Sequence, residues 1–110
     1  MHLLSADRPP NIVYIMADDL GYGDLSILGQ SHFETPHLDA LARRGMIFTD
    51  HYSGSTVCAP SRASLMTGLH TGNVPVRGNL EIQPEGQFPM PEETFIIPQM
   101  LKQAGYVNGV

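Results

Sequence analysis

An α/β fold with a parallel sheet is what the sequence predicts, from three observations. Residues 11–17, NIVYIMA, form a short apolar run rich in β-branched and aromatic side chains, the pattern of a strand buried on both faces. A loop with three carboxylates and two glycines, Asp18-Asp19-Leu20-Gly21-Tyr22-Gly23-Asp24, follows at once. Beyond it the chain reads strand, helix, strand, helix, helix, strand once that first run is counted, which is the order of an α/β domain. In open sheets of this kind ligands sit beyond the carboxyl ends of the strands, where Asp18 and Asp19 fall.

Each later element has its own signal. Thr35-Pro36 opens a helix, with Thr as the N-cap and Pro at the first helical position. Leu38, Leu41 and Ala42 give it an apolar face, and Arg43, Arg44 and Gly45 close it. Residues 46–52 alternate imperfectly and read as a second strand, and residues 53–59 as a loop of small residues. Pro60 starts a second helix that runs to Thr67 and stops at Gly68. Residues 69–93 are rich in Pro and Gly and read as an irregular excursion. Residues 94–104 form a third helix, stopped by Gly105, and Pro98 moves its start later than Thr94. The last six residues read as the start of a third strand, so the chain is expected to be a piece of a longer protein.

Bulk properties narrow the function. The 110 residues suffice for one small domain, and 42% hydrophobic against 15% charged residues argues against disorder. A formal charge of -5 speaks against a nucleic-acid partner, which would want a basic face. An anionic substrate stays compatible with it, because a metal and one or two Arg set the local field. The single cysteine excludes an intramolecular disulfide and a zinc site of several Cys. No apolar run is long enough to span a membrane. Residues 1–10, MHLLSADRPP, lack the pattern of a signal peptide and read as a tail, leaving location open.

Two constellations carry chemistry. Adjacent carboxylates such as Asp18 and Asp19 repel each other unless a cation lies between them, and a divalent ion with oxygen ligands is the natural neutraliser. The plain alternative is a solvated acidic turn. A lone cysteine is most often a small buried apolar side chain, yet Cys58 lies just before the second helix. Helix N-termini stabilise anions, and Arg62, one turn on, is able to point back at the same anion. A tyrosine-phosphatase loop would need five residues between Cys and Arg, and only three are present.

Cys58 to Gly68, CAPSRASLMTG, resembles the signature C-x-P-S-R-x-x-x-L/M-T-G of the type I sulfatases at every fixed position. PNIVYIMADDLGYGDL resembles that family's first strand and its metal-binding Asp pair. FETPHLDALARRGMIFTDHYSGSTVCAPSR continues the pattern, and RGNLEIQPEGQFPMPEETFIIPQMLKQAGY is similar to the arylsulfatase branch. The resemblance covers the chain from Pro10 to Tyr106.

It implies an alkaline-phosphatase-like sandwich with a central, mostly parallel sheet flanked by helices, of which residues 11–110 are the N-terminal portion. In similar enzymes a maturing enzyme, such as the formylglycine-generating enzyme, reads the core matched by Cys58, Pro60 and Arg62. It oxidises the Cys to Cα-formylglycine. One hydroxyl of the hydrated aldehyde attacks the sulfur of an aryl or carbohydrate sulfate ester, and the second then helps expel sulfate; a plain Ser lacks that exit. Asp18, Asp19 and the modified Cys58 match metal ligands, with calcium expected and magnesium as the alternative. Arg62 matches the Arg that steadies the nucleophile. The family's remaining Lys, His and metal ligands would lie beyond Val110, which makes this stretch alone inactive. Phosphonate or phosphodiester hydrolysis on the same nucleophile, and a non-catalytic fragment, are the alternative functions. His2, His32, His37, His51 and His70 match no catalytic position, and Arg77 and Asn79 lie in a loop within reach of substrate without an assigned role.

Overall fold

Residues 8–84 and 86–109 are described by a computed structural model, with two 3₁₀ turns, three α-helices and one hairpin as its regular structure. The 3₁₀ turns are Tyr22–Asp24 and Ser26–Leu28. The helices are α1, Pro36–Arg44, α2, Cys58–Thr67, and α3, Ile97–Gln103. The hairpin pairs β1, Glu81–Ile82, with β2, Gly86–Gln87, antiparallel, Ile82 opposite Gly86. Most of the tail expected over residues 1–10, and Val110 at the end of the third expected strand, lie outside the described residues.

The helices follow the local signals closely. Pro36 sits at the first position of α1, where its missing N–H costs nothing. α2 ends on Gly68, left-handed at φ 69°, whose N–H reaches Ser64 O at 2.9 Å. It begins two residues before the expected Pro60, which makes Cys58 its first helical residue rather than its predecessor. Pro60 is tolerated because the first turn has no partner for its absent N–H. α3 starts at Ile97, later than Thr94 as expected, and Gln99 Oε1 accepts the Ile96 N–H at 2.8 Å.

The strands are where sequence and structure part. Residues 11–17 and 46–52, and the described part of 105–110, carry no ladder among the described residues. A strand is held by the backbone groups of a neighbour, and among the described residues only β1 and β2 pair in this way. Val13 and Ile15 stay 82% and 80% exposed, although their composition suits a core. The expected central parallel sheet is thus not part of the described structure.

What core there is lies behind α2. Ala63 of α2 packs with Val74 and Val76 from the following loop, and Ala59 and Met90 flank them. Two buried valines are worth about 1.5–3 kcal/mol each by apolar transfer, little against the entropy of ordering such a chain. The Cα radius of gyration, 17.5 Å, exceeds the ~13 Å of a compact domain of this length.

A polar knot ties α1 to the turn before it. Thr35 is the α1 N-cap by position, but its side chain makes no cap hydrogen bond. Its hydroxyl instead donates to Asp39 Oδ1 at 2.7 Å, while Ser26 Oγ donates to Asp39 Oδ2 at 2.7 Å. The two hydroxyls also accept each other's backbone N–H, and Ile27 N–H adds a third donor to the buried carboxylate. Hydrogen bonds from Thr35 and Ser26, then Ile27 N–H and the charge of Arg43, hold this carboxyl below its ordinary value against the opposing effect of burial. A lowered folded pKa stabilises above the unfolded value, and that contribution is lost as pH falls through the folded value. Asp39→Asn is therefore expected to lower the melting temperature by a few degrees at pH 7. The gap to wild type should narrow below about pH 3.8; thermal melts at the two pH values check this.

Candidate active site

The site is assembled around the first turn of α2. Val57 precedes it in extended conformation (φ -120°, ψ 152°) with no side-chain cap, and Ser61 N–H makes the first helical bond, to Val57 O at 3.1 Å. The opening N–H groups of α2 thus need partners from outside the helix. Asn79 supplies one: its Oδ1 accepts the Ala59 N–H at 3.2 Å, and its Nδ2 donates to Cys58 Sγ at 3.3 Å. Cys58 is exposed, unlike the buried apolar side chain a lone cysteine most often is.

The acidic turn reaches the same place. Arg62, one turn along α2, places Nη2 3.4 Å from Asp18 Oδ1, with both side chains more than half exposed. An exposed pair of this kind contributes at most about 1 kcal/mol to stability, so its interest is the charge it brings to the site. Asp19 is left-handed at φ 52°, a region Asp enters more easily than most residues, and it turns the chain away from Asp18. Asp24 Oδ2 accepts the Gly21 N–H at 2.6 Å and closes the glycine-containing loop behind the pair.

Asp18, Asp19, Cys58 and Arg62 line one open cavity of about 970 Å³, together with the 51–57 segment and His70. The sequence-derived residues are therefore brought together. Among the described residues no cluster of three or more His, Cys, Asp or Glu is grouped to hold a metal. The two carboxylates fit a hard divalent ion as oxygen ligands, but calcium takes about six to eight oxygens, so they are only part of a shell.

The part of the cavity wall between the 51–57 segment and α2 depends on Gly54. A Cβ there would lie 2.6 Å from Ser64 Cβ on α2, closer than side chains approach. Gly54→Ala is expected to push this segment off α2 and cost about 1–3 kcal/mol, read as a lower denaturation midpoint.

Asn79 is the residue whose position the sequence did not disclose. The loop bearing it folds back because Val74 and Val76 bury against Ala63. Arg77 then spans it, donating through Nη2 to Gly72 O at 2.7 Å and through Nε to Val74 O at 3.4 Å. Arg77 is thereby a brace of the loop. The Arg77-Gly78-Asn79 sequence offers no local signal for a contact 21 residues back along the chain.

The start of α2 thus holds an exposed thiol and an Arg, and an acidic turn shares their cavity. The sulfatase family model matches residues 10–110, and the chain belongs to that family. It is 40% identical to N-acetylgalactosamine-6-sulfatase of Rattus norvegicus over 112 residues, covering 96% of this chain and 21% of the relative. It is 43% identical to human arylsulfatase A over 110 residues (97% and 21%) and 43% identical to N-acetylgalactosamine-6-O-sulfatase of Bacteroides thetaiotaomicron over 109 (94% and 20%). The chain thus spans about a fifth of the length of the curated relatives it matches. The family generally uses a Cys-derived formylglycine and a divalent metal, and its domain is of the alkaline-phosphatase-like α/β kind.

Proposed function

We propose that the protein is a formylglycine- and metal-dependent sulfatase, with residues 11–110 forming the N-terminal part of its catalytic domain. The observation that carries this is the shared cavity of Cys58, Arg62, Asp18 and Asp19, within the stretch 10–110 that matches the sulfatase family model. Formylglycine at position 58, when formed, supplies a hydrated aldehyde whose two hydroxyls serve attack and release. The chain's own groups bind and orient. Asp18 and Asp19 supply anionic oxygens to the metal, for which calcium suits flexible carboxylate ligation better than magnesium. Arg62, its charge shared with Asp18, offers a fixed cation to the sulfate and to the oxygens at position 58. The maturing enzyme that reads Cys58, Pro60 and Arg62 is the implied partner. The substrate is a sulfate ester, and the names of the relatives favour a sulfated sugar or an aryl sulfate. No described helix is long and apolar enough to cross a membrane.

The test is to express the intact protein with a sulfatase-maturing enzyme. The mass of the peptide containing position 58 is read alongside turnover of an aryl sulfate and an aryl phosphodiester. An aldehyde at position 58 with preference for the sulfate is expected. Unmodified Cys58 in a fully active enzyme sinks the mechanism, and preference for the phosphodiester replaces the substrate class.

A further inference from the structure

We propose that Asn79 is a positioning residue for position 58, holding the hydrated form of the modified side chain through its amide N–H while capping α2 from outside the helix. The proposal rests on the reading of Cys58 as the modified nucleophile and adds a residue that the reading does not contain.

The amide's orientation follows from its partners. The Ala59 N–H is only a donor, so the Asn79 atom facing it at 3.2 Å must be the carbonyl Oδ1. That leaves the NH₂ group toward position 58, where Nδ2 lies 3.3 Å from Sγ. Oδ1 also lies 3.5 Å from Sγ, within reach of the thiol proton, but this longer contact does not compete with the backbone bond. Asn79 therefore presents a donor whose direction is set by a backbone group of the nucleophile's own helix.

The rest of the loop makes that direction rigid. The main buried apolar cluster of the described chain, Ala63 with Val74 and Val76, lies between α2 and this loop. Arg77 braces the loop two residues before Asn79. The packing ties the loop to the helix, and the bond to Ala59 N–H sets where the exposed amide lies. Sulfur is a weak acceptor for an N–H, whereas the oxygens that replace it after oxidation are strong ones. Water adding across the aldehyde gives two hydroxyls on a tetrahedral carbon, and the donor is aimed at the place Sγ takes on such a carbon, a direction the hydrate keeps and the planar carbonyl does not.

Two variants separate capping from donation in the intact, matured protein. Asn79→Asp keeps an oxygen for Ala59 N–H but removes the donor, and Asn79→Ala removes both. Aldehyde occupancy is measured by mass, capture of the aldehyde by a neutral aminooxy probe by rate, and kcat on an aryl sulfate at saturation. In both variants oxime formation should be faster by about three- to tenfold, the worth of one hydrogen bond. kcat should fall by about tenfold or more at equal aldehyde occupancy. The melting temperature should stay within about two degrees for Asn79→Asp and fall further for Asn79→Ala. Unchanged oxime rates, or undiminished kcat at full occupancy, overturn the proposal. A matured wild type that carries the aldehyde yet cleaves no sulfate ester ends the functional reading alone, because the oxime rates still decide the role of Asn79.

Discussion

Cys58→Ser, made without a maturing enzyme, is expected to release one equivalent of product in a burst and then stall. The serine hydroxyl would occupy the first turn of α2, facing Arg62 and the acidic turn in the same cavity. It is able to attack the sulfur and displace the alcohol, so a sulfate monoester of the introduced serine forms as the S–O bond to the leaving group breaks. It has no second hydroxyl on the same carbon to expel that sulfate. Steady-state turnover should therefore drop by at least about 10³-fold, while Cys58→Ala should lose the burst as well. Rapid-quench kinetics and the mass of the peptide carrying position 58 distinguish the two. Continuous turnover by the serine variant at the wild-type rate would show that release needs no geminal hydroxyl.

The second large effect concerns the metal. Asp18→Asn with Asp19→Asn removes both charges but keeps the side-chain shapes. Asn also tolerates the left-handed conformation that Asp19 adopts at φ 52°, so the backbone stays unstrained. A ligand at about 100 times its dissociation constant stabilises the folded state by about 2.7 kcal/mol. The intact wild-type protein should show a calcium-dependent rise in melting temperature of this origin, and the double variant should lose most of it. Activity should fall by about 10²-fold or more on the proposed reading, in which the carboxylates hold the ion that polarises the substrate. Chelation of the wild type should reproduce the loss, and added calcium should reverse it. Arg62, released from Asp18, remains in the variant, so a retained calcium response would place the ion elsewhere.

The helices and turns were legible because their signals are local. Pro36 opens α1 and Pro98 delays α3 through the N–H each lacks, and Gly68 stops α2 through the left-handed φ of 69° that glycine permits. The closeness of Cys58 to Arg62 was legible for a related reason. Cys58 and Arg62 are one helical turn apart, so their neighbourhood needs only the helix.

What proved non-local was read less well. Residues 11–17 and 46–52 have strand composition, but a ladder needs a partner strand, and among the described residues only the short hairpin supplies one. Thr35 looked like a simple cap; the nearness of Ser26 and Ile27 made it part of a carboxylate-binding knot instead.

By itself, then, the sequence placed the helix boundaries to within a few residues and, through its resemblance to the sulfatases, singled out Cys58, Arg62, Asp18 and Asp19 as the residues proposed to carry the chemistry. Periodicity, caps and one-turn spacing act over a few residues of chain. Only the tertiary structure decided that Arg62 faces Asp18 and that Asn79 points its amide at Cys58. These contacts span 44 and 21 residues, the first from 62 minus 18, and the second closes only when valines 74 and 76 bury against α2. Burial has no direction along the chain, so no local pattern announces which distant side chain it will deliver.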